Sequence, residues 1–182
     1  EIERGLGELS SQEVSVVAAG RTDKGVHARC QIVSCELPRL WEPERLRLAL
    51  DACLPPSIRT IRAAPVEAAF NARYDALWRE YVYFLWFPRH TYPHLQGYSW
   101  SLHRPWNEDA VRRACTYLEG THDFSSFCRS VDLPENPVRT LYRISFRRKG
   151  PFGWLRVRGN AFLTNMVRII VGSLHEVGLE RK

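Results

Sequence analysis

The residues best suited to chemistry lie in Ala19-Gly20-Arg21-Thr22-Asp23-Lys24-Gly25-Val26-His27-Ala28. One carboxylate, Asp23, sits here with Arg21 and Lys24 close by in sequence. A cation within a few ångströms of a carboxylate favours its ionised form. An ionised carboxylate on a short loop can act as a nucleophile. Gly20 and Gly25 allow the tight turn such a loop needs. The plainer reading is a turn residue, since Asp is common in Gly-containing loops without any catalytic role. The two glycines also have the Gly-x4-Gly spacing of a phosphate-binding loop. That loop continues with Lys and then Ser or Thr, whereas Val26 and His27 follow here, so no nucleotide cofactor is expected.

A second chemically loaded position is Arg168. Phe162, Met166, Val167, Ile170, Leu174 and Val177 recur at three- and four-residue steps, which predicts a helix over Ala161 to Gly178, with Gly178 as its stop. Arg168 falls in the middle of that apolar surround. A buried Arg needs an acidic partner, whereas an Arg that snorkels to water does not.

The elements that must position these residues can be read in order. Val14–Ala18 and Gln31–Glu36 read as strands on either side of the Asp23 loop. Pro43 beside acids opens a helix whose Leu46, Ala49, Leu50, Cys53 and Leu54 recur at helical spacing up to Pro55-Pro56. Ile58–Arg62 reads as a short strand. From Ala76 to Phe87 the chain is aromatic and β-prone, with apolar residues on both faces, as in a strand covered on both sides or central in a sheet. Residues 88–105 read as loop. Asn107 caps a helix through Leu118 that Gly120 ends, and Thr121–Phe127 reads as a polar and aromatic loop. Thr140–Arg148 and Trp154–Arg158 form a hairpin about the turn at 149–153. Arg147, Arg148, Lys149, Arg156 and Arg158 concentrate on it, as a solvated strand face or as a surface for an RNA backbone. These elements group into two α+β units. The first, 1–68, carries the Asp23 loop; the second, 69–182, carries the basic hairpin and the Arg168 helix.

Composition narrows the classes. At 182 residues and 45% hydrophobic, the chain can bury a core. No run approaches the roughly 18 apolar residues of a membrane span, so no membrane partner is expected, and the charged start at Glu1-Ile2-Glu3-Arg4 leads to the expectation of no secretory signal. Five scattered cysteines, at 30, 35, 53, 115 and 128, contain no Cys-x-x-Cys pair. That argues against a disulfide framework and against a zinc site, and a reducing, cytoplasmic setting fits. The net charge of +6 is uneven: residues 1–68 carry 9 Lys+Arg and 10 Asp+Glu, residues 69–182 carry 17 and 10. Only three of the 26 basic residues are Lys. Arg binds phosphate bidentately and stacks on bases, which suits RNA, although a genome rich in Arg codons would give the same bias.

Four separated stretches resemble the tRNA pseudouridine synthase A (TruA) family. They are the Asp23 loop; Phe70-Asn71-Ala72-Arg73-Tyr74 with Arg79-Glu80-Tyr81-Val82-Tyr83; Gly120-Thr121-His122-Asp123-Phe124-Ser125-Ser126-Phe127; and the run from Asn160 to Gly178. The resemblance implies isomerisation of uridine to pseudouridine in the anticodon stem-loop of tRNA, at the positions called 38, 39 and 40, with no cofactor and no metal. It implies Asp23 as the nucleophile, Arg168 as its salt-bridge partner and Tyr81 as the aromatic that stacks on the target base. Tyr81 is also a candidate for the weak base at C5. Arg21 would fill space near the flipped nucleotide, and Phe162 and Met166 would line the pocket. The implied fold is two ferredoxin-like (RRM-like) α+β halves forming a continuous antiparallel sheet, with helices on one side and a central catalytic cleft. The implied assembly is a homodimer.

The sequence also departs from the family. The family opens with Tyr-Asp-Gly and Gly-Trp-Gln segments that do not occur here, and it continues past the last helix, whereas this chain runs from Glu1 to Lys182. The chain is therefore expected to be cut at both ends. Thr164-Asn165 and Lys24 stand where the family more often has an aromatic or His pair and Ala. A rival of another class is a catalytically inactive RNA-binding module on the same scaffold, since a fold does not by itself confer a function.

Overall fold

A computed structural model of the chain describes residues 1–90 and 92–180; Arg181 and Lys182, the end of the basic second half, lie outside the described residues. The fold is mixed α+β and divides into two compact units, Glu1–Ala76 and Leu77–Lys182.

The first unit opens with α1, Ile2–Ser10, which the sequence reading did not assign. Its signal was present, because Ile2, Leu6 and Leu9 recur at helical spacing and pack into one apolar cluster. The strands β1, Val16–Ala18, and β2, Val33–Cys35, pair antiparallel, with Val16 opposite Cys35 and Ala18 opposite Val33. The helix α2, Pro43–Cys53, starts where the Pro predicted. The Glu42 carboxylate accepts from the Glu44 and Arg45 amides at 3.2 and 2.7 Å, satisfying donors that the first helical turn leaves unpaired. Leu6, Val14, Leu50 and Leu54 form the buried core of this unit.

Ile58–Arg62 is not a strand, and that expectation is corrected. The Thr60 amide donates to the Asp51 carboxylate at 2.6 Å, and the Ile58 amide to the Pro55 carbonyl at 2.9 Å. A neighbouring side chain thus takes a donor that a sheet ladder would have used.

The second unit is a five-stranded sheet in the order β4-β3-β7-β6-β5. Its members are β3, Arg79–Trp86; β4, Trp100–Ser101; β5, Gly120–Asp123; β6, Val138–Lys149; and β7, Phe152–Gly159. All neighbours are antiparallel except β3 and β4, which run parallel. The described strands thus form two hydrogen-bonded sheets and include one parallel pair, rather than one continuous antiparallel sheet. Two helices, α3, Glu108–Leu118, and α4, Met166–Gly178, share one core with the sheet. Leu85, Leu141, Ile144, Phe146, Leu155 and Val157 meet Val111, Cys115, Met166, Ile170 and Leu174 there.

The opposite face of the sheet is open. Val82 is 39% exposed and Phe84 50%. So β3 is central in its sheet, as one reading had it, and its second face is covered only at the buried Trp86.

Two further expectations change. Thr121–Asp123 belongs to β5 rather than to a loop. Every residue of β5 is exposed, so this edge strand carries no alternation of apolar and polar residues to betray it. The last helix begins at Met166 rather than Ala161. Asn165, with φ 60°, adopts the left-handed backbone and interrupts the helical path.

Candidate active site

The Asp23 loop joins β1 to β2 and is anchored at its base. The Ala19 amide donates to the Ile32 carbonyl at 2.9 Å, and the Gln31 side-chain amide donates to the Gly20 carbonyl. Between these ties, residues 21–32 are all exposed. Asp23 starts a turn: the Val26 amide donates to its carbonyl oxygen at 3.0 Å, and Gly25 takes φ 84°. An L side chain resists that backbone, so the turn depends on glycine at position 25. Arg21, Asp23 and Lys24 all stand on this exposed turn.

In the second unit, Tyr81 lies on the helix-covered face of β3, opposite Val157 of β7. Its ring meets Phe162 edge-on, with centroids 5.0 Å apart and an interplanar angle of 84°. Such a geometry aligns the positive edge of one ring with the negative face of the other. Phe162 is half-buried against the core, and Met166 is fully buried in it. The Leu163 amide meets the Met166 sulfur at 3.5 Å. Tyr81 and Phe162 are therefore brought together with partly exposed rings, and Met166 lies in the core against which Phe162 packs. A half-exposed aromatic backed by a second ring can present a flat surface to a base.

Arg168 lies two residues after Met166, away from the stripe of Met166, Ile170, Val171 and Leu174 that the core buries, and it is exposed. It is not a buried cation. Asp23 and Arg21 belong to the first unit; Tyr81, Phe162, Met166 and Arg168 belong to the second.

The basic hairpin divides. Arg148 turns to the helix side, 4.0 Å from the Phe87 ring centroid and 2.9 Å from Glu108. Arg158 and Arg156 instead flank Glu80 on the open face, at 2.9 and 3.8 Å, and Arg158 lies 4.3 Å over the Trp78 ring.

Two residues escaped the sequence reading as site builders. Asn160 follows the last residue of β7 and ties that end to both neighbouring strands. Arg79 reaches it from β3, donating to its carbonyl oxygen at 2.9 Å. Both lie inside family-like stretches, but only the pairing of β3 with β7 puts them side by side. Among the described residues no three His, Cys, Asp or Glu side chains gather as metal ligands, and no helix is long and apolar enough to cross a membrane.

The fold defines an α+β protein of two units, the second a sheet with helices on one face. The chain belongs to the tRNA pseudouridine synthase family: the family model described as tRNA pseudouridine synthase matches residues 2–75 and 114–182. The first matched stretch contains Asp23, the second contains Phe162, Met166 and Arg168, and Tyr81 falls between them. The chain is similar to tRNA pseudouridine synthase A of Bacillus pumilus (strain SAFR-032), 40% identical over 182 residues that cover 98% of this chain and 73% of that protein. It is 35% identical to tRNA pseudouridine synthase A of Thermoanaerobacter sp. (strain X514) over 178 residues, with the same coverage. The protein of that name from Bacillus subtilis (strain 168) is 36% identical over 181 residues, again 98% of this chain and 73% of the relative. The chemistry of the family is an isomerisation carried out on tRNA.

Proposed function

We propose that this chain isomerises uridine to pseudouridine in the anticodon stem-loop of tRNA, at positions 38, 39 and 40. The observation that carries the reading is the family match over both the Asp23 loop and the Phe162–Arg168 segment. The reaction breaks the bond from C1′ to N1, turns the uracil, and joins C1′ to C5. The C5 proton leaves and N1 gains one. A base cannot turn inside a stack, so it must be flipped out. Tyr81 supplies the stacking surface, worth on the order of 1–3 kcal/mol per base. Phe162 backs that ring and lines the pocket with Met166. Asp23 is the nucleophile, attacking either the ring or C1′. Arg168 pairs with Asp23 and favours its ionised form, Arg21 fills the space left by the flipped nucleotide, and Tyr81 receives the C5 proton.

The ferredoxin-like reading of the halves, the cleft holding Asp23, a homodimeric assembly, a cytoplasmic setting and a reaction without cofactor belong to the same proposal. The strand order supports the first of these. With β4 and β5 set aside, the order β3-α3-β6-β7-α4, with β3 beside β7 and β7 beside β6, matches the first five elements of a ferredoxin-like unit.

The test is tritium release from tRNA labelled at C5 of uridine, because either route of attack expels that hydrogen. Wild type is expected to release tritium, and Asp23→Ala to release none while still retaining tRNA on a filter. Arg168→Ala is expected to slow release strongly. Release by Asp23→Ala at the wild-type rate would sink the nucleophile. Filter retention without release by wild type would favour the inactive RNA-binding module.

A further inference from the structure

The segment between β7 and α4 has to place the Phe162 ring against Tyr81 without help from regular structure, because residues 160–165 belong to no helix or strand. One residue supplies most of its ties. The Asn160 side-chain oxygen accepts from the Thr140 amide at 3.0 Å and from the Ala161 amide at 2.7 Å. Both partners are N–H donors, so only the carbonyl end of the Asn side chain can serve here. The Asn160 amide donates to the Thr140 carbonyl at 3.0 Å, and its own carbonyl oxygen accepts from Arg79 at 2.9 Å. Asn160 thereby fastens the end of β7 to β6 on one side and to the first residue of β3 on the other. Arg79 stands two residues before Tyr81 on the same face of β3, opposite Gly159.

Gly159 completes the arrangement. A Cβ there would lie 2.8 Å from the Thr140 carbonyl oxygen, 2.9 Å from Leu141 Cδ2 and 3.3 Å from Phe162 Cζ. The Phe162 ring therefore packs over the bare backbone of the residue that precedes Asn160. The ring is fixed from below by Gly159, from the chain by Asn160, and from the front by Tyr81.

We infer that Asn160, with Arg79, is a positioning residue for pseudouridine formation: it sets the angle at which Phe162 backs Tyr81, and so the plane on which the target base stacks. The inference rests on the reading of Tyr81 and Phe162 as the base-binding surface. A residue of this kind acts on turnover more than on tRNA affinity, because most contacts to a large RNA lie elsewhere. Misplacement of a reacting group by about 1 Å can cost on the order of 100-fold in rate.

The experiment compares wild type, Asn160→Ala and Asn160→Asp, each with 4-fluorophenylalanine at position 162. Asp keeps a side-chain oxygen for the two amides; Ala does not. Three readouts are taken: kcat and KM for tRNA, the 19F shift of the labelled ring, and Tm. Asn160→Ala is expected to lose about 10- to 100-fold in kcat, with KM within about twofold and a displaced 19F signal. Asn160→Asp is expected to restore both kcat and the signal.

Wild-type kcat in Asn160→Ala overturns the inference. So does a loss of kcat with an unmoved 19F signal. An equal loss of Tm and kcat in both variants also overturns it, because that is the mark of a purely structural tie. If the labelled wild type stacks no base and forms no pseudouridine, the proposed function has failed; the 19F signal then decides alone whether Asn160 positions the ring.

Discussion

At the scale of single residues, Asp23 and Arg168 drew notice for opposite reasons. Asp23 stood out as the one carboxylate in a Gly-framed loop, and the structure puts it on an exposed turn that needs φ 84° at Gly25. Arg168 stood out as a cation among apolar neighbours, yet it is exposed. The helical period explains this, since two residues past Met166 is about 200° around the helix and off the stripe that the core buries. Apolar neighbours in sequence are not neighbours in space on a helix. Gly178 shows the reverse case. Read as a helix stop, it is the last, buried residue of α4, and a Cβ there would fall inside the Trp106 indole. The Asn107 amide also donates to the Gly178 carbonyl at 2.7 Å, so the backbone has little room to retreat. Gly178→Ala is expected to cost about 1–3 kcal/mol as an overpacked site, read as a lower Tm in thermal unfolding. An unchanged Tm would show that Trp106 moves aside freely.

At the scale of elements, legibility followed the local chemistry. The starts of α2 and α3 were readable because Pro43 and Asn107 act on their own first turns, and the Asn107 side chain accepts from the Ala110 amide at 2.9 Å. β5 was not readable, because an exposed edge strand is defined by its partner β6 and not by its own residues. The 58–62 segment failed in the other direction, since its residues suit a strand but Asp51 holds it. The Thr60 amide, ahead of the Thr60 hydroxyl, Arg59 and Arg47, keeps the Asp51 carboxyl below the usual Asp range. The sign follows from linkage. A carboxylate with a lowered folded-state pKa contributes its stability above its unfolded value, near 3.9, and loses it as pH falls through the folded value. Wild type should therefore exceed Asp51→Asn in Tm by a constant margin above about pH 5, narrowing below about pH 4. A margin that stays flat down to pH 2 would rule out the charged form as the source.

At the scale of the whole molecule, the charge of +6 and the Arg-rich second half give an expectation that needs no site at all. Binding of tRNA should weaken steeply with salt, with a slope of log affinity against log salt of several units, as counterions return to the phosphates. A slope near zero would show that phosphate contacts do not hold the RNA. Sedimentation equilibrium on the protein without tRNA reads the proposed homodimer as twice the 21.1 kDa chain mass.

The sequence by itself determined what is local: the Asp23 loop between two strands, the capped helices, the hairpin, and the stretches that mark the family. Their physical causes lie within a few residues, in turn chemistry, capping and periodicity. Only the tertiary structure decided that Tyr81 and Phe162 touch, that Asn160 and Arg79 hold them, that Arg168 is exposed, and that one face of the five-stranded sheet is open. The first two of these depend on the register of β3 against β7, which brings Arg79 opposite Gly159. Pairing between segments so far apart leaves no mark in either one alone, because each strand's own residues are compatible with many partners.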